Sequence, residues 1–267
     1  MSRVRSVLNA VFRGPRTFVV DDVRYRERTT EPLHRALSAR GSGYKDYDVL
    51  FANQAPVRIR CTPQRMYADI GGPSVVAPYR LSDPIIRPGM RVLDARCGTG
   101  CGAAHTAARV GPSGAVVALD PDHESVRYAR RRYRAPNISF EIGGIESTGG
   151  ELDGAFDAVL AVDWIRPGME TARDLATLWR VLAPGGPLLL VQPLPAAGRP
   201  GGDSPQATPG PVRLTTPQLR DLLHDLSPRP GIEPAETTEF GAIIARRPLP
   251  GVEDPAPTRA SPYPPMR

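Results

Sequence analysis

Lysine is almost missing from this 267-residue sequence: Lys45 is the only lysine, although lysine and arginine together number 34. Enzymes that depend on a phosphate-loop lysine or a lysine Schiff base therefore have almost no candidate residue here. The three cysteines and four histidines form neither a paired CxxC motif nor a zinc-ligand spacing. We therefore expect no metal site and a reducing compartment.

Long apolar runs are missing as well. The longest candidate, Pro187 to Leu194, is far shorter than the roughly 20 residues that span a bilayer. The sequence therefore predicts a soluble, cytoplasmic protein that has no membrane partner.

Acidic residues are too few in the N-terminal part to balance the basic ones. Residues 1–60 hold 12 basic and 6 acidic side chains, which accounts for the whole net charge of +6. A basic segment of this kind can attract nucleic acid. Because it carries no recognised nucleic-acid motif, the pattern favours a solvated surface and leaves nucleic-acid binding as a minor alternative.

The chain divides into three predicted parts. Residues 1–80 are predicted to form a cap on the substrate side, with a hairpin over Thr17 to Arg26 and then helical or irregular structure to about Ala55. From 81 to 246, short apolar runs alternate with helical patterns, which is typical of βαβ units around a parallel sheet. The tail, 247–267, holds seven prolines and is predicted to be disordered.

Seven strands are predicted for the middle part, five of them short and apolar as buried parallel strands are. The five are Arg91–Asp94, Val116–Asp120, Ile138–Ile142, Ala158–Val162 and Leu188–Gln192. An antiparallel pair, Glu233–Phe240 and Gly241–Arg246, is predicted to close the sheet. Residues 193–217, rich in proline and glycine, exceed the length of ordinary connections and are predicted to be a functional loop over a site.

The strongest local signal is VLDARCGTGCGAA, which runs from Val92 to Ala104. It predicts a strand that ends in an acid, then a tight turn at Gly98 and Gly100, then a helix whose N-terminal N–H groups favour negative charge. Asp120 ends the next strand, where a carboxylate accepts both hydroxyls of a ribose, although it is also a candidate helix cap. The sequence therefore predicts a nucleotide-type ligand site.

Three later segments, together with this loop, make the chain resemble class I methyltransferases. VLDARCGTG is similar to their first motif, VVALD to their second, FDAVLAV to the motif of their fourth strand and LWRVLAPGGPLLL to the helix, turn and strand that follow. The resemblance covers about Leu81 to Arg246 and keeps the family's order and spacing. It implies a Rossmann-like, doubly wound α/β sheet, S-adenosylmethionine as cofactor and methyl transfer as the reaction.

By this resemblance, Asp94 would organise the amino group of the cofactor and Asp120 would hold its ribose. The methyl group would point toward the loop that follows Asp163. The implied cofactor-binding residues are Asp94, Ala95, Arg96, Cys97, Gly98, Gly100, Asp120, Pro121, Gly144, Ile145, Glu146, Ala161 and Asp163.

Two positions depart from the family's pattern. Arg96 stands where the first motif normally opens with glycine, and its side chain either blocks the site or pairs with the cofactor carboxylate. Gly144 stands where an aspartate is common, so adenine recognition would rely on backbone groups or on Glu146. Both departures bear on how well the cofactor binds.

No catalytic residue is assigned, because methyl transfer from a sulfonium is an in-line displacement for which a dedicated base is optional. We expect a small-molecule acceptor, and a homodimer stays open as the assembly. Two other functions also stay open. One is a catalytically degenerate, methyltransferase-like binding protein, in which Arg96 obstructs the cofactor. The other is an NAD(P)-dependent oxidoreductase, since the glycine loop alone also fits a dinucleotide fingerprint.

Overall fold

The structure is a computed structural model. It describes residues 17–20, 23–28, 45–61, 73–147, 150–166, 169–194, 212–235, 237 and 240–251. The predicted disordered tail beyond residue 251 and most of the predicted loop over 193–217 lie outside the described residues.

A four-stranded antiparallel sheet precedes the main domain, with its strands in the order β1–β2–β3–β4. The strands are β1 (Thr17–Val20), β2 (Val23–Glu27), β3 (Lys45–Leu50) and β4 (Val57–Cys61). The predicted hairpin is confirmed, since Thr17 pairs with Arg26 across β1 and β2. Its role as a substrate-side cap stays a prediction.

The expectation of helical or irregular structure up to Ala55 is wrong over Lys45–Leu50, which forms β3. The physical reason is a two-residue alternation, in which Tyr47 and Val49 are buried while Asp46 and Asp48 are more exposed. Alternate side chains of a strand point to opposite faces, so this pattern suits a half-buried strand.

The main domain contains a seven-stranded sheet in the order β10–β11–β9–β8–β5–β6–β7. The strands are β5 (Arg91–Asp94), β6 (Ala115–Asp120), β7 (Ile138–Ile142), β8 (Ala158–Val162), β9 (Pro187–Pro193), β10 (Gly231–Pro234) and β11 (Phe240–Arg246). Strands β5 to β9 are parallel, and β11 runs antiparallel to both β9 and β10. The predicted seven-stranded, mostly parallel sheet is confirmed, although β10 ends earlier than predicted.

Five helices lie among the described residues. They are α1 (Pro73–Arg80), α2 (Cys101–Val110), α3 (His123–Arg132), α4 (Thr171–Val181) and α5 (Thr216–Leu222). Neighbouring residues of β5 serve opposite faces of the sheet: Val92 packs in a cluster with residues of α1, α2 and α3, and Leu93 in a cluster with residues of α4 and α5. The sheet is therefore covered on both faces, as a doubly wound fold requires. None of the described helices is long and apolar enough to cross a bilayer.

The N-terminal sheet packs against α3. The hydroxyl groups of Tyr25 and Tyr128 lie 2.8 Å apart, and the backbone N–H of Arg58 donates to Glu124 at 2.8 Å. Arg131 donates to the carbonyl of Ala55. These contacts place β4 beside the helix that follows the second parallel strand.

Candidate functional site

The turn after β5 lies at the carboxyl edge of the sheet, and its glycines leave the backbone without side chains. Gly98 and Gly100 both adopt positive φ, of 53° and 85°, which L-residues with a β-carbon seldom tolerate. A β-carbon added to Gly98 would meet nothing within 4 Å, whereas one on Gly100 would lie 2.7 Å from both Ala129 and Phe140. Gly98 therefore leaves room for a ligand, while Gly100 allows the helix to pack closely.

Asp120 closes this turn from the neighbouring strand. It is 3% exposed, and its two oxygens accept from the backbone N–H groups of Gly98 and Asp122, each at 2.9 Å. Burial raises the pKa of Asp120, and these two hydrogen bonds oppose the shift. The cap of α3 is Asp122, which accepts from Ser125 at 3.0 Å, so the suggestion that Asp120 caps the helix is corrected. Each carboxylate oxygen of Asp120 can accept one further hydrogen bond beyond these two.

Asp94 is fully buried at the end of β5 and is held from helix α1. The Tyr79 hydroxyl donates to its two oxygens at 2.9 and 3.2 Å. Burial raises the pKa of Asp94 to about 7, against hydrogen bonds from Tyr79 and from the backbone of Arg96 that lower it. Desolvation also raises the pKa of Tyr79 well above its ordinary value. Asp94 therefore changes charge near neutral pH.

A cavity of about 340 Å³ opens beside this turn, at the carboxyl ends of β5, β6, β7 and β8. Six predicted cofactor-binding residues line it: Ala95, Arg96, Pro121, Gly144, Ile145 and Glu146. The remaining lining residues are Trp164, Met169, Glu170, Arg173 and Asp174. A mixed apolar and charged wall of this size suits a nucleotide-sized ligand.

Arg96 lines the cavity and is half-buried. Its side chain makes neither a hydrogen bond nor an ion pair with any other residue that the structure describes. Burial lowers the pKa of Arg96, and among its charged neighbours Arg166 lowers it further while Asp120 and Asp163 raise it. A guanidinium with five donors therefore stands in the site without a direct partner there.

Glu146 lies over the backbone of Gly144. Its Oε1 accepts from the Gly144 N–H at 3.2 Å, and a β-carbon added to Gly144 would lie 2.2 Å from its Oε2. The carboxylate thus fills the space that a side chain at position 144 would take. Asp174 lies close to Glu146. Burial raises the pKa of Asp174, and the negative charge of Glu146 raises it further.

Asp163 follows β8 in a left-handed backbone conformation, with φ of 47°. Such strain in a residue other than glycine is concentrated at functional sites. Its carboxylate accepts two hydrogen bonds from Arg166, at 2.6 and 2.8 Å. Gln192 is fully buried. When its side-chain amide is oriented to match its hydrogen-bonding neighbours, the amide oxygen accepts from the N–H groups of Trp164 and Ile165 at 3.0 and 2.7 Å.

The segment that carries this site is similar to known methyltransferases. Residues 92–186 match the family model described as a methyltransferase domain. The phthiotriol/phenolphthiotriol dimycocerosates methyltransferase 1 of Mycobacterium ulcerans is 33% identical over 111 residues, 42% of this chain and 40% of that protein. The ubiquinone/menaquinone biosynthesis C-methyltransferase UbiE of Pasteurella multocida is 31% identical over 110 residues, 40% of this chain and 41% of that protein. The chain thus matches less than half of the length of these relatives.

Solved structures show the same fold. A SAM-dependent methyltransferase from Aquifex aeolicus has a TM-score of 0.55 at 20% identity, covering 70% of this chain and 99% of its own. An S-adenosylmethionine-dependent methyltransferase from Mesorhizobium loti has a TM-score of 0.50 at 19% identity, covering 63% of this chain and 96% of its own. Residues 92–186 thus resemble a methyltransferase domain, and the α/β domain has the fold of S-adenosylmethionine-dependent methyltransferases. The cofactor named for these solved structures is S-adenosylmethionine.

Not every predicted residue of the methyltransferase domain reaches the cavity. Ala161 lies fully buried within β8, and Cys97 is 6% exposed. Neither residue lines the cavity, and their contact with a cofactor stays a prediction. Five other predicted residues are likewise not among the lining residues: Asp94, Gly98, Gly100, Asp120 and Asp163.

Sequence reasoning missed one wall of the methyltransferase site, which comes from the start of α4. Glu170, Arg173 and Asp174 line the cavity from there. From the sequence alone, such charged residues are expected on a solvated surface. The available signal was their position directly after the fourth-strand motif, because helices that follow parallel strands begin at the ligand edge of the sheet.

Proposed function

We propose that this protein transfers the methyl group of S-adenosylmethionine to a small-molecule acceptor. The observation that carries the proposal is the pair of buried carboxylates, Asp94 and Asp120, on adjacent parallel strands around a turn whose Gly98 backbone is open. Two acids at the ends of neighbouring parallel strands suit a ligand that carries both an amino group and a ribose.

Each acid has its own part in the proposal. Asp94 pairs with the ammonium group of the cofactor and is oriented by the Tyr79 hydroxyl. Asp120 accepts the ribose hydroxyls with the lone pairs that its backbone donors leave unused. The bond from Gly98 to Asp120 fixes the turn against the neighbouring strand, so the site is formed before the ligand arrives.

In this proposal, Glu146 binds the adenine end of the cofactor. Its carboxylate fills the position that a side chain at 144 would occupy, and there it accepts from the exocyclic amino group of adenine. Ile145 and Pro121 provide apolar surface for the ring on the same wall of the cavity. The residues present therefore fit the cofactor, with Arg96 as the departure.

Bound S-adenosylmethionine supplies an activated methyl group on a sulfonium. The chain's own task is to align donor and acceptor and to exclude water, for which buried walls such as Trp164, 2% exposed, are suited. The names of two relatives describe work on quinone and dimycocerosate lipids. They support an acceptor of low molecular weight for this chain.

The test is calorimetric titration with S-adenosylhomocysteine of the wild type, Asp120→Asn and the matched control Asp122→Asn. We expect micromolar binding by the wild type and at least about tenfold weaker binding by Asp120→Asn, because a charged acceptor is lost. Asp122→Asn keeps an equally good helix cap and should bind like the wild type.

Three results would contradict the proposal. Binding of reduced nicotinamide dinucleotide, without binding of S-adenosylhomocysteine, would favour an oxidoreductase. Binding that appears only in Arg96→Gly would favour a degenerate methyltransferase-like protein. Tritium transferred from the labelled methyl group into RNA or protein, and not into small molecules, would contradict the acceptor class.

A further inference from the structure

Arg96 carries a charge that the family's glycine lacks, and the structure gives it no direct partner. The guanidinium lines the cavity and makes no hydrogen bond or ion pair with the residues described around it. Half-buried charges cost free energy unless they are paired. A ligand group of opposite charge would remove this cost.

The nearby acids are already engaged. Asp163 accepts two hydrogen bonds from Arg166, whose side chain is 24% exposed. Asp120 accepts backbone N–H groups with both oxygens, and Asp94 accepts from Tyr79. None of these three acids forms an ion pair with Arg96. The donors of its guanidinium are therefore not taken up by the described acids.

Arg166 lies near Arg96, since among the charged groups around Arg96 it has the largest effect on the pKa of that residue. It follows β8, the strand end toward which the family resemblance directs the methyl group, and its own charge is paired with Asp163. The left-handed turn at Asp163 holds that guanidinium in place through two hydrogen bonds. Two neighbouring guanidinium groups favour a planar or tetrahedral anion.

We propose that Arg96, supported by Arg166, binds a carboxylate or phosphate group of the acceptor substrate. This inference rests on the proposed function, because it places the acceptor beside a bound cofactor. Arg96 is thus a specificity-determining residue that selects an anionic acceptor. The glycine that the family usually has at this position offers no such group.

The test measures anion binding to the protein saturated with S-adenosylhomocysteine, using inorganic phosphate and malonate as separate calorimetric probes. The variants are Arg96→Gln, Arg96→Lys and the control Arg246→Gln. Arg246 is not among the residues that line the cavity; it pairs with Glu233 at 3.0 Å and is 43% exposed. The two probes distinguish a phosphate-bearing from a carboxylate-bearing acceptor.

We expect at least one probe to bind in the millimolar range. Arg96→Gln should weaken it by about tenfold or more, Arg96→Lys by less, and Arg246→Gln by less than about twofold. Equal anion binding by the wild type and Arg96→Gln would overturn the inference, as would no binding of either anion. Tighter S-adenosylhomocysteine binding by Arg96→Gln without a change in anion binding would assign Arg96 an obstructing role instead.

Failure of the inference can be told apart from failure of the proposed function. The same samples report S-adenosylhomocysteine binding before any anion is added. If the wild type binds S-adenosylhomocysteine and Arg96→Gln leaves anion binding unchanged, only the inference fails. If the wild type does not bind S-adenosylhomocysteine at all, the proposed function fails first.

Discussion

The hydroxyl of Tyr79 donates to both oxygens of Asp94, at 2.9 and 3.2 Å, inside a fully buried pocket. The contact links helix α1 to the end of the first parallel strand. Because burial raises the pKa of Asp94 to about 7 while Tyr79 lowers it, this single pair sets the charge of the proposed ammonium site. Asp120 adds to the shift, since its negative charge raises the same pKa.

The Tyr79–Asp94 pair makes the proposed cofactor binding depend on pH. An ammonium group needs an ionised carboxylate, so S-adenosylhomocysteine affinity should fall by about tenfold per pH unit below the pKa of Asp94 and level off above about 7. Tyr79→Phe removes a donor that favours the carboxylate. The break in the affinity profile should therefore move to higher pH, which calorimetry across a pH series measures.

Tyr128→Phe is the matched control for that profile. It removes a buried tyrosine hydroxyl 2.8 Å from Tyr25, away from the turn that holds Asp94. The pH below which S-adenosylhomocysteine affinity falls should be the same in Tyr128→Phe as in the wild type. An unchanged break point in Tyr79→Phe would show that the hydroxyl does not control the charge of Asp94.

The ring of Tyr79 also explains why residue 102 is a glycine. A β-carbon there would lie 2.1 Å from two ring atoms, so Gly102→Ala must displace the ring. Overpacking of this kind costs about 1–3 kcal/mol, and urea unfolding should show a loss in that range. Gly231→Ala is the control, because a β-carbon there meets nothing within 4 Å, and its free energy of unfolding should stay close to wild type. Equal stability of the two variants would contradict the packing argument.

How much of this fold follows from the sequence depends on the type of pattern. Strands such as Arg91–Asp94 and Ala158–Val162 are predictable to the residue, since short apolar runs between turn signals mark buried parallel strands. Strand β3, Lys45–Leu50, was missed because its two aspartates mask an alternation of only two buried residues. Strand β6 begins at Ala115 and not at the predicted Val116, which illustrates how element ends are the least determined by local pattern.

The candidate site divides in the same way. The positions of Asp94 and Asp120 at strand ends follow from the motif, because parallel strands bring their carboxyl ends to one edge. The contact from Tyr79 to Asp94 does not, since it depends on how α1 packs against α2. The direction of the Arg96 side chain does not follow from the motif either, because the surrounding loops determine it.

The pair formed by Tyr25 and Tyr128 should couple the N-terminal sheet to the main domain. Both rings are fully buried, and a hydrogen bond within such a core contributes about 0.5–1.5 kcal/mol. In a double-mutant cycle, Tyr25→Phe and Tyr128→Phe should show a coupling energy in that range. Arg26→Gln and Asp48→Asn, which break a surface ion pair at 3.3 Å, should show less coupling, because exposed pairs are screened. Zero coupling between the tyrosines would mean that their hydroxyls do not hold the two sheets together.

Glu146 and position 144 should behave as alternatives for the adenine-facing acid. The Glu146 carboxylate occupies the space beside Gly144, where an added β-carbon would lie 2.2 Å from its Oε2. Gly144→Asp alone should therefore weaken S-adenosylhomocysteine binding, because two carboxylates compete for one place and repel. Glu146→Ala alone should also weaken it, because the acceptor for the adenine amino group is lost.

The double variant distinguishes a shared adenine-facing position from general damage to the cavity wall. Gly144→Asp with Glu146→Ala restores one acid in the same space, so the double variant should bind S-adenosylhomocysteine more tightly than either single variant. Since removing an unrelated acid should not rescue Gly144→Asp, the control pairs Gly144→Asp with Glu233→Ala, whose side chain is 58% exposed. Additive losses in the Gly144→Asp/Glu146→Ala variant would show that Glu146 does not stand in for the missing aspartate. Rescue would assign Glu146 to the adenine end of the cofactor, because only a shared position makes two harmful changes compensate each other.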